Sequence, residues 1–205
     1  MKIISKVSQP EFELQFLGSE WYKEFYNSVR NKYERIISNP NLNDWQENFI
    51  RKELLWKWRY PLLGCLPLET EWNLIELEAD EFENLLVIRE TGWEKTFGTG
   101  KNLKEVAFAI KENVKDIGSV RFDIIHDIKN NVGKFEFKEK IILIGSSFNN
   151  PYTVVEGNHR AVAFELMRIE TGQASHIPKQ LILGVSNEMS SSPWLNFRHT
   201  QPNYS

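Results

Sequence analysis

The chain of 205 residues has a single cysteine, Cys65. That scarcity excludes an intramolecular disulfide, a four-cysteine zinc site and a Cys-x-x-Cys redox pair, and it suits a reducing, cytoplasmic compartment. Long apolar runs are missing too. The longest, such as residues 141–144, are strand-sized and far short of the ~18 residues a membrane helix needs, so no membrane partner is expected. Residues 1–6 lack the hydrophobic stretch of a signal peptide, and no targeting segment is expected. Positive charge is not in excess: Lys plus Arg total 25 against 28 Asp plus Glu, a net charge of −3. The whole-chain field therefore does not attract a polyanion, which counts against nucleic acid as a partner. No internal repeat is visible, and the only low-complexity run is Ser190-Ser191-Ser192 before Pro193.

What the chain has in quantity is aromatic side chains, at 13% with seven tryptophans, and 12 of the 26 aromatics fall in the first 60 residues. Residues 19–38 read as one helix, with Trp21, Phe25, Val29, Tyr33 and Ile36 recurring at steps of three and four. Pro40 stops it. A second helix is expected from Asn43, whose spacing to Gln46 is that of a capping box, through Phe49, Leu54 and Trp58 to Arg59, with Pro61 as its end. The pair forms an aromatic-rich hairpin that must bury its faces against something else. A packing layer is the plain interpretation; a lid or flank for a pocket, or the contact surface of a homodimer, is the functional one.

After Pro67 the pattern becomes mixed. Residues 72–78 alternate as a strand, 80–89 suit a short helix, and Asn102 with Glu105 repeats the capping-box spacing before an amphipathic stretch. A helix follows from Ser119 to about Asn131, then strands at 135–138, 141–144 and 152–155, a helix from Ala161 to about Gly172, and a last strand at 180–185. The fold class is α+β: a small mixed sheet with flanking helices. Its expected organisation is an N-terminal helical subdomain over residues 1–67, a core domain over 68–197 and a tail over 198–205.

One constellation carries chemistry. A strand delivers the chain into Glu156-Gly157-Asn158-His159-Arg160, and a helix follows. A helix N-terminus presents free N–H groups and partial positive charge, and Gly157 lets a ligand approach the backbone closely. His159 and Arg160 add donors, Arg160 able to grip phosphate oxygens in pairs. This is an anion site suited to phosphate. Glu156 beside it makes sense as a general base or as a magnesium ligand. The competing reading is an ordinary i, i+4 ion pair between Glu156 and Arg160, with Gly157 a turn glycine.

The segment Tyr152-Thr153-Val154-Val155-Glu156-Gly157-Asn158-His159-Arg160-Ala161-Val162-Ala163 resembles the signature of the ParB/sulfiredoxin-like superfamily, in which a strand enters a Gly-x-His-Arg or Gly-Glu-Arg-Arg box that opens a helix. Residues 141–144 resemble the family's preceding strand and Ile177-Pro178-Lys179-Gln180-Leu181-Ile182 its closing strand. The likeness runs from about Val120 to Ser186, with residues 73–78 matched to the first family strand. Nothing before Pro67 has a family counterpart.

Within the superfamily, sulfiredoxin chemistry needs a cysteine where this chain has Asn158. Cys65 is distant in sequence and reads as a buried core thiol. ParB partitioning proteins, which bind CTP, carry a downstream helix-turn-helix domain for which few residues remain. Free-serine kinases resemble the chain most closely: their box reads Asp-Gly-His-His-Arg. The resemblance implies a small-molecule kinase using ATP or ADP with Mg2+, CTP being the alternative nucleotide. Gly157, Asn158, His159 and Arg160 would hold the phosphates. Glu156 and His159 would be catalytic, Glu156 also the metal ligand. Glu76 or Glu78 would supply the family's second carboxylate. Ser146 and Ser147 precede the box and would face the nucleotide or simply form a turn. Asn158 in place of the first histidine leaves the acceptor, a small hydroxylated metabolite such as an amino acid, unspecified. The rival classes are an NTP-binding regulatory module and a nuclease-like or DNA-binding module.

Overall fold

The computed structural model describes residues 1–118, 120–131, 137–149, 151–174 and 177–196. The chain opens with an edge strand, β1 (Lys2–Lys6), and then α1 (Gln9–Glu20). Sequence patterning missed both. The helix start is written locally: the Ser8 hydroxyl accepts from the Glu11 N–H, and the Glu11 carboxylate accepts from the Ser8 N–H. Pro10 stands in the first turn, where its missing N–H costs nothing, so it starts a helix rather than breaking one. The single helix expected over 19–38 is divided into the end of α1, a 3-10 turn (Glu24–Tyr26) and α2 (Asn27–Ser38).

In α3 (Trp45–Leu63) the cap is Asp44, whose carboxylate accepts from the Gln46 and Glu47 N–H groups, not Asn43. Pro61 lies inside the last turn and does not end the helix at Arg59. Next come β2 (Glu71–Glu76), α4 (Ala79–Glu83), α5 (Thr91–Phe97), α6 (Leu103–Lys111) and α7 (Phe122–Asn131). The helix expected over 80–89 stops at Glu83, because residues 85–88 turn aside to run along a strand edge. The expected Asn102–Glu105 capping box is present at the start of α6. Last are β3 (Ile142–Gly145), β4 (Thr153–Glu156), α8 (Asn158–Thr171), β5 (Leu181–Val185) and a 3-10 turn (Asn187–Ser191). Ser119, the first half of the expected strand at 135–138, Phe197 and the expected tail over 198–205 lie outside the described residues, and residues 137–138 are not in a strand.

The five strands form one mixed sheet in the order β1-β2-β5-β3-β4, antiparallel throughout except for β3 beside β5. Alternation along each strand sends side chains to two cores. On one face Trp72, Ile142, Ile144, Val155 and Ile182 pack against Phe12, Phe16 and Leu17 of α1 and Leu54 and Leu55 of α3. On the other, Ile75, Leu143, Val154, Leu181 and Leu183 meet Val106 of α6, Ile125 of α7 and Ala161 and Leu166 of α8. The aromatic N-terminal helices are thus one outer layer of a three-layer α/β/α arrangement, while residues 2–6 belong to the sheet. The described helices include none long and apolar enough to cross a membrane.

Candidate functional site

β4 ends at Glu156, and Gly157 turns the chain with φ +88° and ψ 23° to start α8. Only glycine adopts that left-handed geometry without strain, and a Cβ there would lie 3.1 Å from both Arg160 Nη2 and Ile141 Cγ1. The box is therefore a tight strand-to-helix elbow, and the first-turn N–H groups of α8 have no carbonyl within the helix to bond.

In front of the elbow is a cleft of about 770 Å³. Its floor is Val155 through Arg160. The helical layer contributes one wall, with Ser19, Glu20 and Lys23 from the end of α1 and the residues after it, and Trp58, Arg59 and Leu62 from α3. The opposite wall is Glu90, Trp93 and Lys95 from the α5 region with Ile117, Gly118 and Val120 from the loop before α7.

Glu156 is the most informative side chain here. Burial raises its proton affinity above the ordinary carboxylate value of 4.5, and the nearby Glu20 carboxylate raises it further, against the opposing pull of Arg160, Lys23 and a hydrogen bond with Ser19. Its nearest ion-pair contact is loose, 3.8 Å from Glu156 Oε1 to Arg160 Nη2. Glu20, by contrast, is 1% exposed and fully engaged: Arg59 donates to both its oxygens and Lys23 Nζ lies 2.6 Å from Oε1. The cleft thus holds one neutralised carboxylate beside one whose charge is only partly compensated.

The remaining box residues are tied to the protein. Asn158 Oδ1 accepts from the Ile88 N–H at 3.0 Å and its amide donates to the Val154 carbonyl at 3.2 Å, fastening residues 85–88 to the elbow. Arg160 Nη1 donates to the Glu139 carbonyl at 2.5 Å and Nη2 reaches the Lys140 carbonyl at 3.5 Å, with the guanidinium 5.8 Å from the Phe137 ring centroid. Burial pushes that guanidinium below its usual range, against Glu156 and Glu139. His159 Nε2 contacts the Val120 carbonyl and its ring stands edge-on to Trp93 at 5.3 Å. Burial lowers the imidazole's proton affinity, so it is held neutral, with Nε2 as the donor.

Not every sequence candidate reaches this cleft. Glu76 is on β2, separated from β4 by β5 and β3, roughly 14 Å of sheet at ~4.8 Å per strand, and it pairs with Lys2 at 3.8 Å. Glu78 caps α4. Ser146 and Ser147 follow β3 at the end of the hairpin away from Glu156, where Ser147 Oγ bonds the Asn149 backbone. None of the four lines the cleft. The buried thiol expected at Cys65 is exposed instead.

Conversely, Glu20, Lys23, Trp58 and Arg59 were not singled out in the sequence as site residues. Their one sequence signal was the aromatic hairpin, read as a possible flank. The described residues contain no group of three or more His, Cys, Asp or Glu side chains that could hold a metal. Magnesium is commonly bound through one or two carboxylates plus phosphate oxygens, and Glu156, the floor carboxylate with only a loose ion pair, fits that minimal requirement. Comparison of the chain with protein-family models, with curated proteins and with solved structures finds no match.

Proposed function

We propose that the chain is a nucleotide-dependent phosphotransferase acting on a small hydroxylated metabolite, built as a ParB/sulfiredoxin-like domain and nearest to free-serine-kinase-like members in its box. The observation that carries this reading is Glu156: a carboxylate with raised proton affinity at the mouth of a glycine-opened helix N-terminus, in a cleft whose size suits a nucleotide.

Transfer of a phosphoryl group to an alcohol asks the protein mainly for alignment, charge stabilisation and a base. The nucleotide phosphates lie against the α8 N–H groups. Glu156 takes the proton of the acceptor hydroxyl as that oxygen bonds to phosphorus and the bond to the leaving nucleotide oxygen breaks. His159 donates from the neutral ring where a phosphate oxygen replaces the Val120 carbonyl. Arg160 has an indirect role, bracing the elbow through the Glu139 and Lys140 carbonyls. Bound Mg2+ would supply charge neutralisation on the phosphates, with Glu156 as its protein ligand.

The test is a thermal-shift panel of ATP, ADP, GTP, CTP and phosphate, with and without Mg2+, followed by turnover assays with hydroxylated amino acids. Nucleotide stabilisation that is alike in wild type and Glu156→Gln without Mg2+, with both the added effect of Mg2+ and turnover lost in the variant, is the expected result; no stabilisation by any nucleotide overturns the reading. A second reading, a regulatory NTP-binding module without transfer, is favoured by one observation: Asn158 and Arg160 both hydrogen-bond to the fold's own backbone, the role of braces and not of catalytic groups. A preference for CTP with no acceptor-dependent product would select it.

A further inference from the structure

We infer that the base of the nucleotide stacks on Trp58, so that the N-terminal helical layer, and not the sheet domain, selects the ligand as a nucleotide. The inference rests on the phosphate-site reading above and adds the other end of the ligand. Trp58 lines the same cleft as the α8 N-terminus but from the opposite layer. It is 41% exposed, whereas Trp93 on the facing wall is 3% exposed and has no free ring face to offer.

The Trp58 ring is also held in place. Phe25 packs against it at 5.0 Å between centroids with the planes 34° apart, and Arg59 in turn lies 5.8 Å from the Phe25 centroid while gripping Glu20. A flat apolar ring with an aromatic neighbour beside it and a large exposed area is what a purine or pyrimidine needs for stacking. Lys57 Nζ lies 5.2 Å from the Trp58 centroid. That contact is an exposed cation–π interaction, which an incoming base can displace and whose ammonium can then meet a phosphate or ribose oxygen.

Isothermal titration of ATP, adenosine and pyrophosphate into wild type, Trp58→Phe and Trp58→Ala tests this. Wild type is expected to bind ATP at least tenfold tighter than pyrophosphate. In Trp58→Ala the ATP affinity should fall roughly tenfold while pyrophosphate stays within about twofold, and Trp58→Phe should keep most of the ATP affinity. Retained pyrophosphate binding also certifies that Trp58→Ala is folded. Undiminished ATP binding by Trp58→Ala overturns the stacking role and leaves the phosphate site standing. Failure of wild type to bind either ATP or pyrophosphate overturns both.

Discussion

Glu156 holds its proton more tightly in the folded chain than in the unfolded one, and the sign of the consequence is fixed. As pH rises from about 4.5, the unfolded carboxyl ionises first and the folded form is penalised, so stability falls through the folded titration. Glu13, raised chiefly by burial, acts in the same direction. His159 acts in the opposite sense, its depressed value making stability fall as pH drops below 6.5. Glu156→Gln should therefore gain on wild type as pH climbs from 4.5 toward neutrality, measured by urea denaturation at several pH values; a constant difference would mean that Glu156 titrates normally. Arg160→Ala should cost about 1–3 kcal/mol, because it removes the donor to the partly buried Glu139 and Lys140 carbonyls. A loss below about 0.5 kcal/mol in the same assay would deny the bracing role. The residues of the box were legible in sequence because elbow chemistry is local, whereas their division of labour was not. Nothing near Arg160 in sequence reveals that residues 139 and 140 will aim carbonyls at it.

At the scale of elements, legibility followed the range of the forces involved. Strands β3, β4 and β5 were readable because β-branched and apolar runs have no polar face to confuse the period. Helix α1 escapes an apolar-periodicity reading because its buried face mixes Phe12, Phe16 and Leu17 with the carboxylates Glu13 and Glu20, although Ser8 and Glu11 already spell a cap. Strand β1 was missed because its side chains are exposed and its existence depends on β2, about 70 residues away. Tight approach between elements yields a further test. Gly184 of β5 sits opposite Trp72 of β2, and a Cβ there would fall 2.4 Å from the indole, whose ring is stacked at 3.7 Å on Phe12 of α1. Gly184→Ala should therefore cost about 1–3 kcal/mol and lower the melting temperature, as overpacking does. An unchanged melting temperature would mean that Trp72 can shift without disturbing α1.

For the whole molecule, the sheet needs both of its outer layers. Trp72, Ile142, Ile144, Val155 and Ile182 are covered by α1 and α3, so a fragment of residues 68–197 would expose a broad apolar sheet face. Such a fragment should bind hydrophobic dyes and lack dispersed amide resonances. A well-dispersed spectrum would make the helical layer an accessory. The same dependence explains why the N-terminal helices contribute to the cleft at all: they reach it by covering the sheet, and Glu20, Trp58 and Arg59 project from that cover.

The segment at 85–88 has a last consequence, for stoichiometry. Leu86 accepts from the Val154 N–H and donates to the Tyr152 carbonyl, so the outer side of β4 is already occupied. Among the described strands this leaves β1 as the open edge of the sheet, flanked by Lys2 and Lys6 and interrupted by an irregularity between Ile3 and Ser5. A sheet open on one side can add one neighbour but cannot pass the pairing on, so any edge-to-edge pairing through β1 would stop at two copies and would not grow into a fibre.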